Sequence, residues 1–440
     1  YGHQTDRGGV AQMPIAALAV VLLIILGVSV AVAFGLGALL YFLLLQGDPA
    51  QVPSVAFRTL DSFTFLAIPF FLLAGAIMQS GGVSRRLVDF VGMLVGRLKG
   101  GLGATVVGAC GLFGAISGSS IATVSSIGRI MAPDMVQRGY PRAFVGSLTA
   151  VSGILGIILP PSVPMIVYAV AAGVSIADMF LGGVVVGIIL LVFMLVNTLL
   201  WARNKDLDDR GLKFATPEQM DAKRRHPAKR TLAAVPALLM PLIILGGIYS
   251  GAFTATESGA IACLYGLLVG LLVYRELRPK KLGRTFVDGV LATAPILLII
   301  AMGGAFARAV VLSGVPADLV RIFASIDMPT WVFLIVLNIA LLVIGMFIEE
   351  NTAIVILTPL LLPVVTSYGV DPLQFGMIMV LNLGMGLATP PFAPNLFVAQ
   401  SATGAKFHTM IVPALRLLTL GVLPVLIVVN AFPVLTTFMR

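Results

Sequence analysis

Long apolar stretches dominate this 440-residue chain and limit what it can fold into. About 20 apolar residues in a helix cross the hydrocarbon layer of a membrane, and each stretch is about that long or longer. Charged residues make up 11% of the chain, whereas a soluble domain carries about 25%. The sequence therefore predicts an all-α polytopic membrane protein. The predicted membrane segments are residues 13–46, 62–80, 104–135, 144–173, 180–201, 232–250, 255–274, 286–313, 331–363, 374–402 and 410–436.

The positive charges orient these segments. Lys and Arg number 28 against 19 Asp and Glu, and the longest polar stretch, 202–231, is rich in both basic residues. Because cytoplasmic loops carry the excess of basic residues, we predict a cytoplasmic linker at 202–231 and place the N-terminal tail 1–13 and the C-terminus on the outer side. The same count requires 104–135 to return to the cytoplasmic side and 331–363 to return to the outer side. Both are therefore predicted to be re-entrant hairpins.

The chain also contains an internal repeat. SGILGIILPPSVP recurs as LGMGLATPPFAP at an offset of 230 residues, and the charge count places the two copies in opposite orientations. We predict a first inverted repeat at 14–201 and a second at 232–440, an architecture found in many secondary transporters. Paired prolines remove backbone donors, so the helices 144–173 and 374–402 should be broken. The matched positions are Gly156, Pro160, Pro161 and Pro164 against Gly386, Pro390, Pro391 and Pro394.

The hairpin tips and the broken helices supply the candidate chemistry. The tips are predicted near 115–120 and 347–352, at membrane depths where non-helical backbone occurs only in buried or cavity-lining positions. Freed carbonyls and the hydroxyls of Ser117, Ser119 and Thr389 are hard oxygen ligands of the kind that Na⁺ requires. The N-terminal ends of half-helices carry partial positive charge and favour an anionic substrate. These groups predict a Na⁺ site, and no cofactor is expected.

Several interpretations of single features stay open. The small residues of the first tip are also typical of close helix packing. Carboxylates at membrane depth are rare and usually functional, but either Glu349 or Glu350 could be a structural partner of a hairpin amide, and which one faces the cavity is undecided. Glu257 is predicted either to cap the following helix or to have a conformational role.

Two other classes of function fit the sequence less well. An intramembrane serine protease using Ser117 or Ser119 would need a base within hydrogen-bond distance, whereas the three histidines lie in the tail or in predicted loops. A purely structural membrane scaffold gives no reason for carboxylates and broken helices at matched depths. We therefore predict a transporter and not an enzyme.

Five segments carry a family resemblance: LAIPFFLLAGAIMQSGG at 66–82, FGAISGSSIATVSSIG at 113–128, GILGIILPPS at 153–162, GAFTATESGAIACLYG at 251–266 and GMGLATPPFAPNLFV at 384–398. Through them the chain resembles the large membrane subunit of tripartite ATP-independent periplasmic (TRAP) transporters, the DctM-like family, over nearly its whole length. The resemblance implies an elevator-type carrier with a scaffold and a mobile transport domain in the bacterial inner membrane. It further implies Na⁺-coupled import of an organic anion, a carboxylate or acid sugar, delivered by a periplasmic DctP-like binding protein, with a small DctQ-like membrane subunit as partner.

A self-sufficient Na⁺- or H⁺-coupled dicarboxylate or ion carrier of the same fold remains the alternative, and the sequence does not identify the anion.

The resemblance also implies where the sites lie. The candidate substrate ligands are Ser119, Ser120, Ser162, Glu349 and Asn395. The implied Na⁺-binding residues are Ser117, Gly118, Ser119, Gly153, Gly156 and Pro160 in the first repeat, and Glu350, Asn351, Thr352, Gly386, Thr389 and Pro390 in the second.

Overall fold

A computed structural model describes residues 5–45, 47–203, 205–207, 227–326 and 328–438, and every regular element in these ranges is a helix. Short 3₁₀ or π-helical turns at Phe63–Leu66, Val269–Val273 and Leu418–Val422 extend or join neighbouring helices. The α-helices are α1 Thr5–Ile25, α2 Val30–Leu44, α3 Gln51–Leu60, α4 Ala67–Ser80, α5 Val83–Val95, α6 Gly101–Ser117, α7 Ser120–Gln137, α8 Arg142–Ser152, α9 Leu155–Ile158, α10 Val163–Ala172, α11 Ile176–Arg203, α12 Pro227–Tyr249, α13 Ala255–Leu268, α14 Pro279–Leu312, α15 Val315–Ser325, α16 Thr330–Phe347, α17 Glu350–Ser367, α18 Pro372–Gly386, α19 Pro394–Thr403, α20 Phe407–Leu417, α21 Leu423–Ala431 and α22 Val434–Thr437.

The length and apolarity of these helices are those of a multi-pass membrane protein. Within the described ranges, 8 helices are long and apolar enough to cross a membrane, or 9 if α8–α9 and α10, bent by 43°, count as one span. The prediction of an all-α polytopic membrane protein is confirmed. Re-entry of the two hairpins and the orientation of the termini stay predictions.

The N-terminal region differs in detail from the sequence expectation. The apolar segment 13–46 is divided at Gly27, whose φ of +83° suits glycine, while α2 continues through Gly35 without a break. Helix α1 begins at Thr5, inside the range predicted as a tail. Most of the predicted linker 202–231 lies outside the described residues. The last residues of α11 and the first residues of α12 lie within its predicted range.

The repeat is visible in the order of the helices. The series α5, α6, α7, α8–α9, α10 and α11 is matched by α15, α16, α17, α18, α19 and α20–α21. Gly82 and Gly314, which precede α5 and α15, have φ angles of +78° and +77°. Both Pro160–Pro161 and Pro390–Pro391 bonds are cis. Each repeat therefore contains a helix–turn–helix followed by a proline-broken helix.

Two hydrophobic cores hold the chain together. The larger one contains both helix–turn–helix pairs and both broken helices together with parts of α4, α12 and α13. The smaller one joins α1, α2 and α3 to the C-terminal part of α14, where the Phe34 and Phe306 rings stack with centroids 5.6 Å apart. The N-terminal helices thus have a core of their own, which adjoins the larger core through α14 and α17.

Helix α5, which leads into α6, is fastened to the turn after α13. The Arg86 guanidinium donates to Glu276 Oε1 at 2.7 Å and lies 3.8 Å from the centroid of the Tyr274 ring. The matching helix α15 is held instead to the end of α17, because the Tyr368 hydroxyl donates to the Phe323 carbonyl at 2.9 Å. The two repeats therefore attach these connecting helices to different parts of the molecule.

Candidate functional site

The first tip, residues 117–120, is a two-residue turn between α6 and α7. Gly118 has a φ of +62°, and a methyl group added there would lie 2.8 Å from the Pro161 carbonyl oxygen. The position therefore requires glycine for both its backbone angle and its space. Ser119 begins α7 as its N-cap, its Oγ accepting from the Ala122 backbone N at 3.4 Å.

The first tip packs directly on the first break, residues 159–162. The Val163 N–H donates to the Gly118 carbonyl at 3.3 Å. A methyl group at Gly156 would lie 2.6 Å from Thr123 Oγ1 and 2.8 Å from the Ser119 carbonyl oxygen. The structure therefore brings together Ser117, Gly118, Ser119, Gly153 and Gly156 of the predicted set, and Pro161, next to the predicted Pro160, makes the contact with Gly118.

Ser162 closes the backbone gap that the prolines leave. Its Oγ donates to the Ile157 carbonyl at 2.6 Å and accepts from the Met165 N–H at 3.4 Å, and the residue is buried. The hydroxyl of this predicted substrate ligand is therefore used in bridging the break.

In the second tip, residues 348–352, Glu349 is the N-cap of α17. Its Oε2 accepts from the Thr352 N–H at 3.0 Å and from Thr352 Oγ1 at 3.2 Å, while Oε1 accepts from Asn351 Nδ2 at 2.5 Å. A carboxylate at a helix N-terminus is stabilised by the backbone donors and the helix dipole. Glu349 stands where Ser119 stands in the first repeat, because each is the N-cap of the helix that follows the tip.

Glu350 has the opposite environment. Its side chain is only 7% exposed, and among the described residues its Oε2 has no hydrogen-bond partner. The buried Oδ1 of the adjacent Asn351 is likewise without a donor among them. An ionised carboxylate buried without a partner is very costly, so Glu350 favours a bound cation or a proton. The Asn351 oxygen, which can only accept, favours a donor or a cation.

The second break, residues 387–393, lies beside the second tip. A methyl group at Gly386 would lie 2.4 Å from the Gly345 carbonyl carbon, so α16 and α18 touch at the backbone. Thr389 Oγ1 donates to the Met385 carbonyl at 2.7 Å. Thr389 and Pro390 are half-buried, and Pro391 is exposed. This break is more open than the first, where Pro160 and Pro161 are buried.

Sequence reasoning missed several residues that hold the site. Thr123 bonds to Ser117 Oγ at 3.2 Å. Asn382 Nδ2 donates to Asn338 Oδ1 at 2.8 Å, and Asn338 Nδ2 donates to Asn430 Oδ1 at 2.9 Å, which ties α16 to α18 and α21. Asparagines inside apolar stretches were the available signal for this ladder, because polar residues often join membrane helices by hydrogen bonds.

The fold and the site define a class of protein. An all-helical multi-pass membrane protein, built from two repeats that each pair a helix turn with a broken helix, has the architecture of a secondary transporter. Residues 17–435 match the family model described as "Tripartite ATP-independent periplasmic transporter, DctM component". The chain belongs to this family, and the resemblance read from the sequence is confirmed.

Similar proteins agree with this assignment. The chain is 39% identical over 402 residues to the C4-dicarboxylate TRAP transporter large permease protein DctM of Pseudomonas aeruginosa, covering 91% of this chain and 92% of that one. It is 37% identical over 422 residues to the isethionate TRAP transporter permease protein DctMQ of Oleidesulfovibrio alaskensis, covering 95% of this chain and 64% of that protein. These relatives are permeases, in agreement with the prediction of a transporter and not an enzyme.

The fold is also that of a solved transporter. The crystal structure of the Alcanivorax borkumensis YdaH transporter superposes with a TM-score of 0.59 at 13% identity, covering 85% of this chain and 87% of that one. At this identity the similarity concerns the fold alone.

Proposed function

We propose that this permease imports an organic anion together with Na⁺ across the bacterial inner membrane, using one Na⁺ site at each tip. In this proposal 202–231 is cytoplasmic and both termini are periplasmic. The observation that carries the proposal is the pair of buried, unpartnered oxygens at the second tip, Glu350 Oε2 and Asn351 Oδ1. Hard oxygen atoms with no donor beside a broken helix are suited to a hard cation.

The first tip supports a second, chemically different ion site. It offers the hydroxyls of Ser117 and Ser119 and the carbonyls of the tip and of the first break, with no carboxylate in the tip. The Ser117 and Thr123 hydroxyls lie 3.2 Å apart, so their oxygens are already gathered on one side of the tip. We therefore infer a neutral site in the first repeat and an anionic site in the second.

The anion is proposed to bind between the tips. Ser119 and Glu349 are the half-buried members of the predicted substrate set, whereas Ser120 and Ser162 are buried and hydrogen-bonded. Asn395 is buried as well; its Nδ2 is hydrogen-bonded, and its Oδ1 has no partner among the described residues. Glu349 already occupies the anion-binding end of α17, so an anionic substrate would be repelled there unless cations were bound nearby. Substrate and Na⁺ affinities should therefore increase together, each by the same factor.

The relatives support the choice of substrate class and partners. The names of the two relatives contain isethionate and C4-dicarboxylate, and both are organic anions. This chain covers 64% of the protein named DctMQ, and a DctQ-like small subunit is the proposed membrane partner. The separate core of α1–α3 with α14 supports an elevator movement of the body carrying both tips. A periplasmic DctP-like binding protein completes the proposed system.

Uptake measured in proteoliposomes tests this function. With the small subunit and a loaded binding protein present, an inward Na⁺ gradient should drive accumulation of the anion, and choline in place of Na⁺ should abolish it. If more Na⁺ charge than anion charge enters, an inside-negative potential should accelerate uptake, since each net charge gains about 2.3 kcal/mol per 100 mV. Undiminished uptake without Na⁺ would refute the proposal, and full uptake without a binding protein would favour the self-sufficient carrier.

A further inference from the structure

Asn395 belongs to both functional regions at once. Its backbone N–H donates to the Leu387 carbonyl at 3.0 Å and so bridges the second break. Its side chain reaches the first repeat, where Nδ2 donates to Ser120 Oγ at 2.7 Å and to the Ala150 carbonyl at 3.0 Å. The residue is 0% exposed. These bonds join the N-terminus of α19 to the N-terminus of α7, which follows the first tip directly.

The chemistry of the partners fixes the direction of these bonds. The Ala150 carbonyl oxygen can only accept, so the nitrogen of the Asn395 amide must face it. Ser120 Oγ then accepts from the same nitrogen and keeps its own proton for another acceptor. The link therefore needs a side-chain N–H at position 395, and an apolar side chain cannot replace it.

The internal repeat provides a natural comparison for this link. At the offset of 230 residues, Asn395 corresponds to Met165 and Leu387 to Ile157. The backbone bridge across the break exists in both repeats, although in the first it passes through Ser162 Oγ. The side chains differ, because Met165 has no donor and packs against α11 at Gly183, where a methyl group would lie 2.6 Å from its Cε. This polar link between the first tip and the second break is thus built on Asn395 and not on the equivalent position.

We propose that Asn395 is a positioning residue that couples the two Na⁺ sites, an inference that rests on the proposed function. Ser120 is the last residue of the first tip, and Asn395 lies just after the second break. Ordering of either region holds the Asn395 amide where the other region needs it. Coupling of this kind is reciprocal and changes affinity by about fivefold or more. Binding at one tip therefore favours binding at the other, so that partly loaded states are depleted.

Thermal unfolding of the purified protein at increasing Na⁺, with choline keeping ionic strength constant, tests this coupling. Wild type should be stabilised cooperatively, with a Hill coefficient approaching about 2 for two sites. In Asn395→Leu the coefficient should fall to about 1, and the Na⁺ concentration for half-maximal stabilisation should rise about fivefold. The variant Ser120→Ala removes the acceptor from the other side and should act in the same direction, which covers the case that Asn395→Leu does not fold.

Met165→Ala is the matched control. It creates a cavity at the equivalent position, so it should lower the melting temperature while leaving the Hill coefficient unchanged. A wild-type coefficient in folded Asn395→Leu or Ser120→Ala, or a wild type that binds Na⁺ without cooperativity, would overturn the coupling alone. A wild type whose melting temperature does not respond to Na⁺ would overturn the proposed function and the coupling with it.

Discussion

Replacing Glu350 by Gln should reduce Na⁺-driven uptake by about 100-fold or more. The carboxylate is buried and its Oε2 has no partner among the described residues, so in the proposed function it is held there by the cation. Removing one member of a buried charge pair costs about 3 kcal/mol or more, and about 1.4 kcal/mol corresponds to a tenfold change in affinity. Uptake in proteoliposomes at fixed Na⁺ measures the effect.

The stability of the Glu350→Gln variant should change in a direction that a merely structural role would not give. Without Na⁺ the melting temperature should equal or exceed that of wild type, because an unpaired buried carboxylate has been removed. With Na⁺ the variant should lose the stabilisation attributed to the second tip. Glu257→Gln is the control, since Glu257 lies in an exposed capping box with Thr254 that Gln also supports. Equal Na⁺ stabilisation in Glu350→Gln and wild type would rule out Glu350 as a ligand.

Replacing Gly156 by Ala should reduce uptake about tenfold or more and destabilise the protein by about 1–3 kcal/mol, as overpacking typically does. The added methyl group would lie 2.8 Å from the Ser119 carbonyl oxygen. Because that neighbour is backbone, the first tip must move away from the first break. Uptake and thermal unfolding of the same preparation measure both effects.

Gly246→Ala is the control for this substitution. Gly246 lies in α12 with nothing within 4 Å of the added methyl group. Alanine there should be neutral or stabilising by up to about 1 kcal/mol, because glycine weakens a helix interior. Wild-type uptake by Gly156→Ala would show that the contact between tip and break is not needed for transport.

The sequence predicted the placement of the repeat elements because strong local rules governed them. Paired prolines cannot continue a helix, and the breaks lie where Pro160–Pro161 and Pro390–Pro391 predicted them. Gly118 lies at the first tip, where the positive φ admits glycine readily. Glu257, left undecided between two roles, forms a capping box with Thr254.

The remaining features depend on contacts between distant parts of the chain, which local rules do not encode. The neighbouring carboxylates Glu349 and Glu350 could be distinguished only once α17 showed which of them caps it. The partners of Asn395 lie 275 and 245 residues away in the sequence, and the asparagine ladder joins three helices from different segments. The offset of 230 residues predicted which positions of the two repeats are equivalent. It did not predict which residues of one repeat contact the other.

Simultaneous measurement of radiolabelled Na⁺ and anion entry into proteoliposomes tests the central claim most directly. With the small subunit and loaded binding protein present, the anion should stimulate Na⁺ entry in a fixed ratio to its own uptake, and Glu350→Gln should abolish both fluxes together. Anion uptake without accompanying Na⁺ entry would contradict Na⁺-coupled transport by this permease.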